Sequence, residues 1–251
     1  MVYNVLNGDA LAYSFPEAQI LGQVVVVREA LIEGDLAGKS LDDFWKYRAK
    51  FHESSEVEYH RQVVKEFEKI IGAPDNSEFN LWFEYDLFCQ VNLWFVLSLL
   101  NALPITKKVY AVYTSHLDKT SKSFWNGFGP ANSDELNFCF VNRLLLTEID
   151  LQVGRDLWNA YKDDDHEELA LLSKNHSPSF PYLHEVVNAH IERFSADGTK
   201  GRPEKVIEDI IKNISLDFNK VLKEFWKRES IYGFGDTQVR RLYEKVIRTT
   251  S

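Results

Sequence analysis

Residues 81–116 read LWFEYDLFCQVNLWFVLSLLNALPITKKVYAVYTSH, and this stretch decides the fold class. Leu81-Trp82-Phe83 is a short apolar run and Glu84-Tyr85-Asp86 a polar interruption. From there an apolar helix runs to about Leu103, where Pro104 stops it. Val109-Tyr110-Ala111-Val112-Tyr113 then forms a second β-prone run that ends in Thr114-Ser115-His116. Strand, helix and strand in this order make a right-handed βαβ unit with parallel strands.

The alternation extends on both sides of this unit. Val2–Leu6 is an apolar strand running into Asn7-Gly8-Asp9, with a helix-like segment from Ala10. Val24-Val25-Val26-Val27 is too short for a helix and apolar on both faces, as in a parallel sheet covered on both sides. Residues 41–71 change to a helical period and read as one or two amphipathic helices ending before Gly72 and Pro74. After Gly127-Phe128-Gly129-Pro130, the segment Phe138–Val141 either adds a strand or opens a helix. From about residue 150 the pattern is helical, with three final helices expected over 202–213, 217–229 and 236–248, the last capped by Asp236. The expected architecture is α/β: a three-layer parallel-sheet domain over residues 1–150, then a mainly helical region over 151–251.

Composition narrows the classes. The 251 residues are 45% hydrophobic and 14% aromatic, enough for a full core, which excludes disordered, collagen-like and disulfide-dependent chains. No stretch approaches 18 consecutive apolar residues, so no membrane-spanning helix and no membrane partner is expected. The first fifteen residues lack a basic segment ahead of an apolar one, so no signal peptide is expected. Cys89 and Cys139 lie in apolar runs and read as buried thiols of a cytoplasmic protein. The net charge of −9 is uneven. Residues 200–251 carry twelve basic against eight acidic residues, +4, which leaves −13 for residues 1–199. That balance argues against nucleic acid lying across the whole protein. The run Asp163-Asp164-Asp165 with Glu167-Glu168 reads as a solvated loop and helix start rather than a metal cluster.

Several short segments recur together: Asn7-Gly8-Asp9, Arg28-Glu29-Ala30-Leu31 with Glu33-Gly34, and Trp82–Phe88 with Gln90. Near the end come Arg193-Phe194-Ser195 and Gly233-Phe234-Gly235-Asp236-Thr237-Gln238. In this order the chain resembles the bacterial DUF1835 family, whose members commonly carry a second, DUF3658-type C-terminal region. Tyr85 departs from the pattern, standing where many members have a His between the Glu and the Asp. The resemblance implies a fold and a set of positions rather than an activity.

In an open parallel sheet, ligands sit beyond the carboxyl ends of the strands. The polar groups expected there are Asn7, Asp9, Arg28, Glu29, Glu33, Glu84, Asp86 and His116, with Gly8 in the first turn and Gln90 one helical turn after Asp86. Asp9, Glu84 and Asp86 suit general acid–base work or Mg²⁺, and Arg28 suits an anion clamp. Each also has a structural use: Asp9 and Asp86 as helix N-caps, Gly8 in a tight turn, Arg28 in an ion pair with Glu84 or Asp86. The expected function is a site for an anionic or phosphate-bearing small molecule, catalytic if the carboxylates converge. The alternative is a non-enzymatic regulatory protein whose last helix, with Gln238, Arg240, Arg241 and Lys245, binds DNA or a protein partner.

Overall fold

The computed structural model of the chain describes residues 1–17, 19–114, 127–174, 177–195 and 198–250. One sheet contains β1 (Val2–Asn7), β2 (Gln23–Val27), β3 (Ser77–Trp82), β4 (Lys107–Val112) and β5 (Leu144–Leu145), in the order β2-β1-β3-β4-β5. The first four strands pair in parallel, with Tyr3 opposite both Gln23 and Phe79, and Phe79 opposite Val109. The fold is therefore α/β, and the order reverses direction between β1 and β3. β5 is a short antiparallel edge against Tyr110 and Ala111.

The helices are α1 (Asp9–Ala12), α2 (Leu41–Phe51), α3 (Glu56–Tyr59), α4 (Lys65–Ile71), α5 (Leu87–Ala102), α6 (Ser133–Val141) and α7 (Glu148–Lys162). They continue with α8 (His166–Leu172), α9 (Leu183–Ile191), α10 (Arg202–Asn213), α11 (Phe218–Arg228) and α12 (Asp236–Thr250). A π-helical stretch, His60–Val64, joins α3 to α4, and a 3₁₀ turn, Ser230–Tyr232, precedes α12. Phe138–Val141 closes α6 and is not a strand. Asn132 starts that helix with a capping box: its side chain accepts from the Asp134 and Glu135 N–H groups, and Glu135 accepts from the Asn132 N–H. Helix α12 opens at Asp236 itself, and Gln238 Oε1 accepts the N–H of the preceding Gly235 at 3.0 Å.

Strand side chains alternate between two cores. Tyr3, Val5, Phe79, Leu81, Val109 and Ala111 enter the larger one, whereas Leu6, Trp82 and Val112 face a smaller one with Leu11, Phe15, Ile20 and Leu136. Helix α5 lies in the larger core with no charged residue, and the successive side chains Leu93, Trp94, Phe95, Val96 and Leu97 are all buried. A helix apolar on every face must be covered on every face, and α4, α7 and α9 contribute that cover. Residue 150 falls inside α7, and Val5, Phe95, Trp158, Val187, Phe225 and Val246 belong to one buried cluster. Among the described residues, no helix is long and apolar enough to cross a membrane.

Gly154 sets how closely α7 approaches α5, because a Cβ there would stand 2.5 Å from Leu97 Cβ. Gly154→Ala gains helix propensity of at most about 1 kcal/mol but overpacks a backbone-proximal contact at a cost of about 1–3 kcal/mol. The expected net result in urea unfolding is a loss, of up to about 3 kcal/mol. Gly129→Ala, where a Cβ meets nothing within 4 Å, serves as the control. A Gly154 variant more stable than its parent would rule out the close approach.

Candidate functional site

The residues expected at the strand ends fall into four separate groups. The parallel register sets Asn7 opposite Val27, so the residues just beyond them meet. Arg28 Nε donates to both carboxylate oxygens of Asp9 at 2.9 and 3.0 Å, and its Nη1 donates to the Gln62 carbonyl at 3.1 Å. Arg28 is thus turned away from Glu84 and Asp86, and neither the expected ion pair with them nor an anion clamp beside them forms. Gly8 takes φ 88°, as the turn after β1 requires, and faces open space.

Glu29, expected among the ligand-binding groups, is instead buried in an ion pair. Its carboxylate and the Arg48 guanidinium are both 0% exposed and pair at 2.7 Å. His52 Nε2 lies 3.1 Å away, the Ala30 N–H donates at 2.9 Å, and the Tyr59 hydroxyl also donates to the carboxylate. Burial by itself would raise the Glu29 pKa, but the hydrogen bonds of His52 and Arg48, the Arg48 charge and Tyr59 outweigh it and hold the group at about 2. Arg48 also donates to the carbonyls of Glu33 and Ala30 at 2.7 and 3.1 Å, so one buried guanidinium organises the loop after β2. Its position was legible in principle: Phe44, Trp45 and Arg48 share the buried face of α2.

The third group lies between β1 and β3, where the strand order reverses and doubly wound sheets hold their ligands. Asp86 caps α5 by accepting the Cys89 N–H at 3.0 Å. The Cys89 thiol donates to Glu84 Oε2 at 3.1 Å and accepts from Asn7 Nδ2 at 2.9 Å. Glu84 Oε1 accepts the Phe128 N–H at 2.8 Å, and Gln90 Nε2 donates to the Glu84 carbonyl at 2.7 Å. Asn92 bridges Asn7 Oδ1 and the Glu29 carbonyl at 2.8 Å each. Burial, and after it the charge of Glu84, pushes Asp86 up to about 7. Burial, then Asp86 and Glu84, raises the Cys89 thiol well above its ordinary range. Asn7, Glu84, Asp86 and Gln90 do come together, without Asp9, but each is already hydrogen-bonded within the chain. Mg²⁺ does not fit here: it takes hard oxygen donors, and the third converging atom is a protonated sulfur. His116 lies outside the described residues.

Glu33 belongs to the fourth group. Its Oε2 accepts from Gln238 Nε2 and Arg241 Nη1, both at 2.9 Å, tying the loop after β2 to α12. Beside this tie opens a cleft of about 520 Å³, walled by Arg193, Phe194 and Thr199 on one side and Arg241 and Lys245 on the other. Arg193 Nη2 donates to the Ile32 carbonyl at 3.0 Å, and the guanidinium stands 5.5 Å from the Phe234 ring centre. Among the described residues, no carboxylate forms an ion pair with Arg193. Lys245 pairs with Glu204 at 2.6 Å. The turn before α12 reaches from one group to another: a Cβ on Gly233 would meet Asp86 Oδ1, while Phe234 and Gln238 line the cleft. Arg193 and Phe194 were visible only as motif members, and Gln238 also as part of the last helix, with nothing local to mark them as neighbours of Glu33.

Compared with known proteins, the chain matches no family model, no curated sequence and no solved structure.

Asp86 makes stability depend on pH. Folded, it titrates at about 7 against an ordinary 3.8, so between these values the folded state holds a proton that the unfolded chain releases. Stability then falls as pH rises through that window, by at most about 1.4 kcal/mol per pH unit from this group. Asp86→Asn keeps the cap acceptor and removes the titration. Urea unfolding from pH 5 to 8 is expected to show a steeper decline in the parent than in the variant. Equal slopes would mean that Asp86 ionises normally.

Proposed function

We propose that the protein binds an anionic small molecule, carrying phosphate or carboxylate, in the cleft between the loop after β2 and helix α12. The carrying observation is the set of cations on that one open cleft, Arg193, Arg241 and Lys245, with the Thr199 hydroxyl beside them. A guanidinium recognises a carboxylate or phosphate with two parallel hydrogen bonds, and Lys245 adds a point charge. Glu33, itself held by Gln238, holds Arg241 in place, so the site is partly preorganised. Supporting the same reading, three of the segments that carry the DUF1835 and DUF3658 resemblance meet at this cleft: Glu33-Gly34, Arg193-Phe194-Ser195 and Gly233–Gln238. The ligand site of this proposal stays at the carboxyl side of the sheet but moves from Asp9, Glu84 and Asp86 to the loop after β2.

Nucleic acid or protein binding through α12 is the second reading. Arg240, Arg241 and Lys245 are exposed, as it requires. Each is nonetheless engaged within the chain, Arg240 over the Phe218 ring at 3.8 Å, Arg241 on Glu33 and Lys245 on Glu204. What favours the cleft is that Arg193, outside α12, joins Arg241 and Lys245 on its lining.

The test is thermal unfolding against inorganic phosphate, a nucleoside monophosphate, a sugar phosphate and citrate, with a DNA duplex alongside. An anion at ~100 times its Kd adds roughly 2.7 kcal/mol, a rise of about 5–10 °C for a chain of this size. The double variant Arg241→Gln/Lys245→Gln is expected to bind about tenfold more weakly or worse, and added salt to weaken the parent in the same direction. An upward shift by an anion that the double variant retains in full, or no shift with any anion, removes the reading. A shift with the duplex alone favours the second.

A further inference from the structure

We propose that Asp164, His166 and His190 form a binding site for a single divalent transition-metal ion of the Zn²⁺ type. One ligand atom from each residue, a carboxylate oxygen and two imidazole nitrogens, lies within 4.8 Å of the others. His190 sits near the end of α9 and is 3% exposed, and neither of its ring nitrogens has a hydrogen-bond partner. His166 Nε2 is also buried without a hydrogen bond, although Asp164 Oδ1 is only 3.2 Å away. Each ring therefore holds at least one buried nitrogen without a partner, which is costly as it stands. A metal ion bound by one nitrogen of each imidazole supplies that missing partner.

The local sequence explains how the trio assembles. The acidic run after α7 is a loop and helix start, as expected, although this proposal draws one metal ligand, Asp164, from it; Asp165 caps α8 by accepting the Glu168 N–H at 2.9 Å. Asp164 precedes it with φ 55°, a left-handed turn that brings its carboxylate over the first turn of α8, where His166 begins. His190 is held from behind by the Tyr161 ring at 4.7 Å and beside Phe194 at 5.4 Å. A neutral imidazole offers one lone pair to a metal ion. Arg193 is the charge that opposes a cation here, and the Asp164 carboxylate offsets it.

The donor set selects the ion. Two imidazoles and one carboxylate suit Zn²⁺, Co²⁺ or Ni²⁺, whereas Mg²⁺ and Ca²⁺ require more oxygen donors than the trio offers. Tetrahedral ligands at 2.0–2.1 Å from Zn²⁺ stand about 3.3 Å apart, so the site must tighten modestly. Asp164, 78% exposed, and the half-buried His166 are the members free to close on His190. Three protein ligands leave the fourth position to water. This site is independent of the anion cleft, although Phe194 borders both.

The full-length chain, stripped with EDTA and dialysed, is titrated with Co²⁺ and followed by visible absorption and calorimetry, then competed with Zn²⁺. One ion per chain is expected, with the d–d bands of a four- or five-coordinate site, displaced by Zn²⁺ and not by a thousandfold excess of Mg²⁺. His166→Gln and Asp164→Asn, both at accessible positions, are each expected to weaken binding at least tenfold. His190→Phe keeps an aromatic ring in the pocket and is expected to abolish binding while the fold, read by circular dichroism, is retained. If His190 were only a core aromatic, that variant would bind Co²⁺ as the parent does, and this result overturns the proposal. So does the absence of saturable binding, or an absorption spectrum with thiolate-to-cobalt charge transfer, which would assign the ion to Cys89 instead.

Discussion

Helix α5 has sixteen residues and no charge, so no face of it can be left to water. The larger core of the sheet and α4 cover part of it, and the rest has to be supplied by chain that comes later. Helix α7 lies along it, and α9 and the 3₁₀ turn Ser230–Tyr232 complete the cover. This demand draws residues from the last hundred positions onto the β-sheet region, and the functional geometry follows from it. With α9 seated on α5, Arg193 reaches the carbonyl of Ile32. With Ser230–Tyr232 seated there, Gly233 abuts Asp86 and Gln238 faces Glu33. Hydrophobic burial is non-directional, yet here it determines which polar side chains become neighbours.

The second organising element is the buried Glu29–Arg48 pair. A charge pair without exposure is worth little net stability against an apolar replacement, but removing one partner leaves a bare charge inside. Its value here is positional. Arg48 holds Glu29 and three carbonyls of the loop after β2 at once, and the same loop presents Glu33 outward to α12. The anion cleft therefore stands on a loop fixed from below by a buried ion pair and from above by Gln238 and Arg241.

Between β1 and β3, where a sheet of this order opens a crevice, the chain places a polar network in which each side chain has a partner. Asn7, Cys89, Glu84 and Asn92 run in a continuous hydrogen-bonded line to the Glu29 carbonyl. Among the buried polar atoms without a partner, those of His166 and His190 cluster elsewhere, one aromatic ring away from the cleft. Phe194 packs against both imidazoles and lines the cleft as well, so the two proposed sites share a wall without sharing a ligand.

What the amino-acid sequence determined by itself was whatever depends on neighbours a few positions apart. The β-branched run Val24–Val27, the apolar stretch after Asp86, the stop at Pro104 and the cap by Asp86 are local, and the parallel α/β class follows from their order. Phe138–Val141 stayed ambiguous because a four-residue apolar run fits either period, and the capping box at Asn132 resolved it. The site was legible only in part. Gln90 and Asp86 share a helix turn and were correctly set beside Glu84, but Arg28 went to Asp9 and Glu29 to Arg48, since a charged side chain near several candidates gives no local sign of which it will meet. Glu33 and Arg241 are 208 positions apart, and Ile32 and Arg193 are 161 apart. Only the tertiary structure could join them, because the energy that brings them together is not their own attraction but the burial of α5.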